Sequence, residues 1–311
     1  MKRYFIVFFC FIISGMFSQI PIDTSYTVWS TYNKEIKKFP FIKKVQKPQN
    51  KEVLTQKDIV YKSIDSRDLH LDAYYKNQKK NQPIVVLIHG GGWKSGNKSQ
   101  MNFLAQEIAS KGYCCFAIEY RLSDEAQFPA AILDVKSAIQ YIKSNAHKFN
   151  ADANRVAVLG CSSGGQMAAL IGTTNGKSEF EEKDNAKENT TVQAIIDMDG
   201  ILAFHHPEAT EGKYAALWLN GTYEENPQNW RQASALTHCD EHTPPVLFIN
   251  SDMVRFHAGR DDMIAVLDKY KIYNEVKTIP NAPHSFWFFD PWFDEIVNYS
   301  TQFLDKIFKQ K

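Results

Sequence analysis

A serine between glycines stands where an apolar run gives way to a helix-like stretch. Gly160–Gly164 reads GCSSG, follows RVAVL and precedes GQMAALIG. This G-x-S-x-G spacing between a buried strand and a helix puts its central serine on a sharp turn, where the hydroxyl is exposed to act as a nucleophile. A Ser/Gly-rich helix cap is the simpler interpretation of the motif alone, but the flanking elements argue against it. We therefore predict acyl-transfer chemistry at Ser162, with Cys161 as a bystander in the turn.

A second glycine-rich segment follows an earlier apolar run. His89–Trp93 reads HGGGW and comes directly after PIVVLI. Glycines let backbone N–H groups approach a developing oxyanion closely. We predict Gly91 and Gly92 as donors together with the N–H of Ser163, and a shift of one residue would add the N–H of Trp93. A phosphate-binding loop is the competing interpretation, but GK[ST] and GxGxxG spacings are missing.

A serine nucleophile needs a base, and in proteins with this motif the chain order is serine, acid, histidine. His284 lies in NAPHSFWFF after the last predicted strand, which is the required position. The other candidate histidines stand before the acid region or on the far side of a predicted helix. We therefore predict His284 as the general base.

The acid that orients the histidine has several candidates. Asp252 is the first carboxylate after the predicted strand PPVLFIN and is our first choice. Asp199 ends the preceding strand, Asp261 begins the next helix, and Asp197 is a further alternative. Only geometry assigns this role, so the alternatives stay open.

Aromatic and cationic side chains near these loops are candidates for substrate binding. Trp93 and Trp287 offer flat surfaces for sugar rings, although aromatics beside a catalytic loop are more often packing residues. Arg255 and His257 suit the recognition of a carboxylate such as that of a uronate. The plainer interpretation of Arg255 is a surface ion pair.

The elements that position these residues alternate along most of the chain. Two strands with alternating apolar residues, joined by DSRD, predict an antiparallel hairpin, and continuous apolar runs then alternate with helical patterns. This order predicts an α/β fold with a doubly wound, mostly parallel sheet and helices on both faces. Each motif falls at the carboxyl end of a strand, where such sheets bind their ligands.

The chain divides into three predicted parts. Lys2 and Arg3 precede the apolar run YFIVFFCFII, and small or polar residues follow, which predicts a signal peptide over residues 1–18. A retained anchor is the alternative, but the run is short for a membrane span. Residues 19–52 form an N-terminal arm and residues 53–311 the catalytic domain, in which residues 201–240 are able to cap the site.

Composition limits the partners and the location. The chain has 311 residues and a net charge of +1, so no charge excess favours nucleic acid. The signal peptide predicts a secreted or periplasmic protein without stable membrane insertion after cleavage. Cys114, Cys115, Cys161 and Cys239 match neither a disulfide framework nor a metal site, and the chemistry requires no cofactor. The sequence does not indicate an oligomeric state.

These motifs together resemble the α/β-hydrolase superfamily over nearly the whole predicted mature chain. HGGGW with GCSSGG, and EYRLS with FPAAILDVKSAIQY, resemble the hormone-sensitive-lipase-like branch and bacterial acetyl and feruloyl esterases of the BD-FAE type. The stretch DMVRFH resembles a D-x-x-E-F-H segment of kynurenine formamidases, which implies that Asp252 is the acid. Most esterases of this group carry that aspartate two residues later, where this chain has Val254.

A finer resemblance bears on the substrate. DGILAFHHPE, RFHAGRDD and HSFWFFDPWF are similar to segments of secreted esterases from polysaccharide-degrading bacteria, including acetylxylan and pectin esterases. The resemblance implies a secreted serine esterase acting on acetyl or other small acyl groups of polysaccharides. Pectin methylesterase, arylformamidase or peptidase-like activity on the same fold are alternatives, and a non-enzymatic binding protein is a third class.

Overall fold

The computed structural model describes residue 23 and residues 25–47, 50–65, 67–182, 189–210 and 212–309. The predicted signal peptide, residues 1–18, lies outside the described residues. The strands are β1 (Lys43–Lys44), β2 (Val53–Ser63), β3 (Asp68–Lys76), β4 (Gln82–Ile88), β5 (Cys114–Ile118), β6 (Ala151–Cys161), β7 (Ala194–Met198), β8 (Val246–Ser251), β9 (Asn274–Ile279) and β10 (Phe289–Asp290).

Helices separate most of the strands. The α-helices are α1 (Val28–Glu35), α2 (Asn102–Ser110), α3 (Ala130–Ser144), α4 (Ser163–Thr173), α5 (Gly212–Trp218), α6 (Pro227–Gln232), α7 (Ala235–His238), α8 (Arg260–Lys269) and α9 (Phe293–Phe308). Short 3₁₀ helices cover Lys98–Met101, Ala146–Phe149, Ser178–Phe180, Val254–His257 and Phe286–Phe288. Among the described helices, none is long and apolar enough to cross a membrane.

The main sheet has eight strands in the order β2-β3-β5-β4-β6-β7-β8-β9. The hairpin β2–β3 is antiparallel and joins β5 in antiparallel register, whereas the strands from β5 to β9 are parallel. The prediction of a doubly wound, mostly parallel sheet preceded by an antiparallel hairpin is therefore confirmed, and the protein has the α/β-hydrolase fold.

Strand β4 shows why the central strands read as continuous apolar runs. All of its residues are buried, and successive side chains enter different cores. Val86 packs with residues of α3 and α4 on one face of the sheet, and Val85 packs with residues of α2 and α9 on the other. Helices cover both faces, so both sets of side chains must be apolar.

The N-terminal arm packs on the C-terminal part of the chain. Strand β1 pairs with β10 in antiparallel register, and the Val45 N–H donates to the Phe288 carbonyl at 3.0 Å. Tyr26, Val28 and Tyr32 pack against the core on the side of α9. The chain before the main sheet is thus attached to the segment that follows β9.

Parallel strands bring the predicted chemistry to one edge of the sheet. His89 follows β4, Ser162 follows β6, Asp199 follows β7 and Asp252 follows β8, while His284 lies five residues beyond β9. Carboxyl ends of parallel strands lie side by side, so these residues are neighbours in space despite their separation in sequence.

Candidate active site

Ser162 occupies the turn between β6 and α4. Its backbone has φ 56° and ψ −123°, which is strained for a residue with a side chain. The Ser162 N–H donates to the Met198 carbonyl at 2.8 Å, and the Gln166 N–H donates to the Ser162 carbonyl at 3.0 Å. Bonds on both sides of the turn therefore hold this conformation, and the expected position of the serine on a sharp turn is confirmed.

Close packing around the turn explains why position 160, just before it, is a glycine. A Cβ on Gly160 would collide with the carbonyl oxygen of Gly164, a backbone atom that cannot move without displacing α4. We expect Gly160→Ala to lower the free energy of unfolding by about 3 kcal/mol, because the backbone must shift to admit the methyl group. Urea denaturation of the purified variant measures this change.

Gly212→Ala is the matched control for that substitution. A Cβ on Gly212, at the start of α5, meets no atom within 4 Å. The control is expected to leave the free energy of unfolding unchanged or to raise it by up to about 1 kcal/mol. Equal stability of the two variants would contradict the tight packing described for the turn.

His284 links the serine to a carboxylate. Its Nε2 lies 2.8 Å from Ser162 Oγ, and its Nδ1 lies 3.0 Å from Asp199 Oδ2. In the neutral imidazole that fits both contacts, Nδ1–H donates to the carboxylate and Nε2 accepts the serine proton. The geometry is that of a nucleophile, a base and an orienting acid, and it agrees with the predicted role of His284.

The structure places Asp199, and not Asp252, against His284, which contradicts the prediction of Asp252 as the acid. The Asp199 carboxylate is buried and accepts from the N–H of Ser251 at 2.8 Å and from its Oγ–H at 2.6 Å. The Asp252 side chain instead accepts from the N–H of Asn281 at 2.7 Å, in the loop before His284. β7 lies between β6 and β8 in the sheet, which places Asp199 nearer to the serine turn.

The two remaining carboxylate alternatives have other partners. Asp261, in the first turn of α8, accepts from the Arg260 side chain at 2.8 Å. Asp197 is fully buried, and its Oδ1 accepts from the N–H of Gly200 at 2.8 Å. Burial, and then the neighbouring Asp199 charge, raise the pKa of the Asp197 carboxyl well above its ordinary value. Asp197 thus secures the turn that contains Asp199.

The glycine-rich loop lies beside the serine turn, as its position after β4 predicts. Gly92, Trp93 and Ser163 line a cavity together with Ser162. Gly91 is not among the lining residues. Its carbonyl accepts from the N–H of Ser95 at 3.0 Å, so it shapes the turn of the loop. Gly92 and Ser163 are therefore placed as predicted, Trp93 joins them, and the Gly91 N–H stays a prediction as a donor.

His89 supports this loop and is not a second base. Its ring stacks on Tyr120 with centroids 4.3 Å apart, and its Nδ1 lies 2.9 Å from the Gly90 carbonyl. Burial lowers the pKa of His89 to about 4, so at neutral pH the ring is uncharged and Nδ1–H donates to that carbonyl. The Tyr120 hydroxyl donates to the His89 carbonyl at 3.0 Å.

The predicted tryptophan platforms are part of the interior. The Trp93 indole is buried, stacks on Trp218 at 5.1 Å, and donates from Nε1 to Gln166 Oε1 at 2.9 Å. Trp287 is buried beside His284, with ring centroids 5.3 Å apart, and lines a different cavity between the arm and α2. The prediction of Trp287 as a substrate-binding surface is therefore wrong, because apolar packing takes the ring.

Arg255 and His257 belong to the 3₁₀ helix that follows Asp252. The Arg255 guanidinium lies 4.0 Å over the Phe256 ring, and its Nη1 donates to Thr210 Oγ1 at 3.3 Å. His257 is buried, and burial, followed by the nearby Arg260 cation, lowers the pKa of its imidazole. Arg255 thus lies near the site with a substrate role still predicted, whereas burial argues against direct contact by His257.

Sequence reasoning missed three residues that shape the site. Phe256 stacks on His284 with ring centroids 3.4 Å apart, Ile201 lines the same cavity, and Ser251 binds the Asp199 carboxylate. Phe256 stands in the stretch RFHAGRDD between Arg255 and His257, which the sequence analysis predicts as substrate-binding residues. The sequence carries no local signal for the stacking, because the two rings lie on separate loops.

The cavity beside Ser162 is small. Its volume is about 20 Å³, which is room for about one water-sized group. Its lining residues are Gly92, Trp93, Ser162, Ser163, Asp199, Ile201 and Phe256. Within the described part of the chain, no cluster of three His, Cys, Asp or Glu side chains is arranged to hold a metal ion.

Comparison with known proteins decides the family. The family model described as BD-FAE matches residues 71–264, more than half of the 311-residue chain. The chain belongs to the BD-FAE family. The matched BD-FAE region contains the HGGGW loop, Ser162 and Asp199, whereas His284 lies beyond it.

Curated relatives of this BD-FAE member are named as esterases. Esterase LipC of Mycobacterium tuberculosis is 27% identical over 223 residues, which cover 67% of this chain and 54% of LipC. Carboxylesterase NlhH from the same organism is 34% identical over 94 residues, 30% of each chain. The chain spans about half the length of the first curated relatives that it matches.

Solved structures show the same fold. A truncated carbohydrate esterase from gut microbiota superposes with a TM-score of 0.70 at 24% identity, covering 84% of this chain and 99% of that one. Esterase 2 of Thermogutta terrifontis superposes with a TM-score of 0.68 at 20% identity, covering 84% and 94%. These likenesses confirm the α/β-hydrolase architecture of this BD-FAE member.

Proposed function

We propose that this chain is a secreted serine esterase that removes acetyl or similarly small acyl groups from polysaccharides. The observation that carries the proposal is the continuous contact from Ser162 through His284 to Asp199, at 2.8 and 3.0 Å, beside a cavity lined by backbone of the glycine loop. Relatives named as esterases support the reaction class.

The geometry supports a two-step acyl transfer. His284 Nε2 takes the proton as Ser162 Oγ attacks the ester carbonyl, and Asp199 stabilises the imidazolium that forms. The carbonyl oxygen becomes an oxyanion within reach of N–H groups in the cavity wall, among them that of Ser163 at the start of α4. His284 then protonates the leaving alcohol, and water, deprotonated by the same ring, releases the acid and restores the serine.

The size of the cavity supports a small acyl group. Ile201 and Phe256 bound the space beside Ser162, which has a volume of about 20 Å³. A longer acyl chain would extend beyond this space. The sequence of the first 18 residues and the similarity in fold to a carbohydrate esterase from gut microbiota support secretion and a polysaccharide substrate.

Pectin methylesterase is the second candidate, and Arg255 favours it. The guanidinium lies over Phe256, which is itself a cavity wall, so it is near enough to the mouth to pair with a uronate carboxylate. In that case the sugar acid would be the acyl part and methanol the leaving group. The bulky sugar ring would then be the acyl part, and it fits the small cavity less well than an acetyl group does. The pectin alternative is therefore the weaker of the two.

The test compares wild type with Ser162→Ala on p-nitrophenyl acetate, butyrate and octanoate, then on acetylated xylan and methylated pectin. We expect serine-dependent hydrolysis with the highest kcat/KM for acetate, and acetate without methanol from the polymers. Absence of serine-dependent turnover on every ester would refute the esterase proposal. Methanol release without acetate would replace it by the pectin alternative.

A further inference from the structure

The aromatic ring on His284 is a structural feature that the acyl-transfer scheme does not use. Phe256 and His284 have ring centroids 3.4 Å apart and ring planes 10° from parallel. This separation is direct van der Waals contact over the whole face of the imidazole. Phe256 belongs to the 3₁₀ helix Val254–His257, and it reaches the histidine from a different loop.

Hydrogen bonds alone leave one motion of the imidazole unrestrained. The bonds to Asp199 and Ser162 act at opposite sides of the ring, at Nδ1 and Nε2. A ring held at these two points still has freedom to tilt about the line that joins them. Face-to-face contact with Phe256 opposes that tilt, and the nearly perpendicular Trp287 ring, at 5.3 Å and 82°, packs on the same imidazole.

Phe256 is itself held in place. Its N–H donates to the Met253 carbonyl at 2.9 Å, which closes the turn of the 3₁₀ helix. The Arg255 guanidinium lies 4.0 Å from its ring centroid and donates to Thr210 Oγ1 at 3.3 Å. The next residue, His257, is buried, so the short helix is anchored at its end.

We propose that Phe256 is a positioning residue that fixes the plane of the His284 imidazole for proton transfer with Ser162. This inference rests on the serine-esterase function proposed above. Phe256 also lines the cavity, so a role as a mere wall of the acyl site is the rival explanation. The two roles differ in which kinetic constant they change, because a wall alters substrate binding and a positioning residue alters the chemical step.

The kinetic test uses three proteins and p-nitrophenyl acetate. Phe256→Leu keeps an apolar side chain but loses the flat face, and it is expected to lower kcat about 10- to 100-fold with KM changed less than about threefold. Phe256→Tyr keeps the ring and is expected to retain kcat within about threefold. A Leu variant that changes KM or acyl-chain preference with kcat intact would overturn the proposal, as would a Tyr variant no better than Leu.

A spectroscopic test separates this inference from the proposed function. The face of Phe256 shields the ring protons of His284, so their NMR resonances, assigned with His284→Gln, should move downfield in Phe256→Leu and stay in place in Phe256→Tyr. Unchanged resonances in the Leu variant would overturn the stacking role whatever the activity. If the His284 resonances move in the Leu variant as expected but the wild-type protein hydrolyses no ester, the stacking is supported and the esterase function is refuted. If the Leu variant does not fold, Phe256→Met replaces it in both measurements.

Discussion

Replacing Ser162 by alanine is expected to lower kcat for p-nitrophenyl acetate by about 10⁶-fold. The hydroxyl 2.8 Å from His284 Nε2 is the proposed nucleophile, and no other described residue offers a hydroxyl in that position. Steady-state hydrolysis and the burst of p-nitrophenol that accompanies acylation should disappear together.

Two neighbours in the same turn serve as controls for that loss. Cys161→Ala is expected to keep most of the activity, because the thiol is buried against Met198 and burial raises its pKa well above the ordinary value. Ser163→Ala keeps the backbone N–H that is predicted to bind the oxyanion, so it should also remain active. An inactive Cys161→Ala protein that still folds would show that the nucleophile has been placed one residue out.

Asp199→Asn is expected to lower kcat by about 10⁴-fold, with KM much less affected. The amide keeps the shape of the side chain, but its NH₂ group favours the wrong tautomer of His284 and no negative charge faces the imidazolium. Ser251 would lose an ionic acceptor as well, since both its N–H and its hydroxyl donate to this carboxylate.

Asp252→Asn is the matched comparison, because its carboxylate lies at the end of the adjacent strand and accepts from the N–H of Asn281. We expect its kcat to stay within about threefold of wild type, since an amide oxygen also accepts that hydrogen bond. The reverse ranking, with Asp252→Asn inactive and Asp199→Asn active, would mean that the loop before His284 rearranges during turnover and that the acid is Asp252.

Most of the fold could be predicted from local sequence patterns. Alternating residues gave β2 and β3, and a continuous apolar run gave β4, because burial on one or two faces leaves different periods in the sequence. The serine turn and His284 could also be predicted from the sequence, because the nucleophile needs flanking glycines and the base follows a fixed chain order.

The acid could not be predicted from the sequence in the same way. Asp199 and Asp252 both follow parallel strands, and the sequence carries no information on which carboxylate turns toward a histidine some 30 to 85 residues later. The choice depends on φ 51° at Asp199 and on the two donors of Ser251, which are features of tertiary packing. The role of Phe256 was not predicted for the same reason, because stacking between rings on separate loops leaves no local pattern in the sequence.

The pairing of β1 with β10 joins the N-terminal arm to the segment that follows the predicted base. His284, Trp287 and Phe288 lie within a few residues of β10, and Val45 bonds directly to Phe288. The arm therefore holds the segment that follows the His284 loop, and we expect removal of the arm to loosen that loop. A chain trimmed to the predicted catalytic domain, residues 53–311, would lose the β1–β10 pairing and the hydrogen bond from Val45 to Phe288, close to the loop that holds His284.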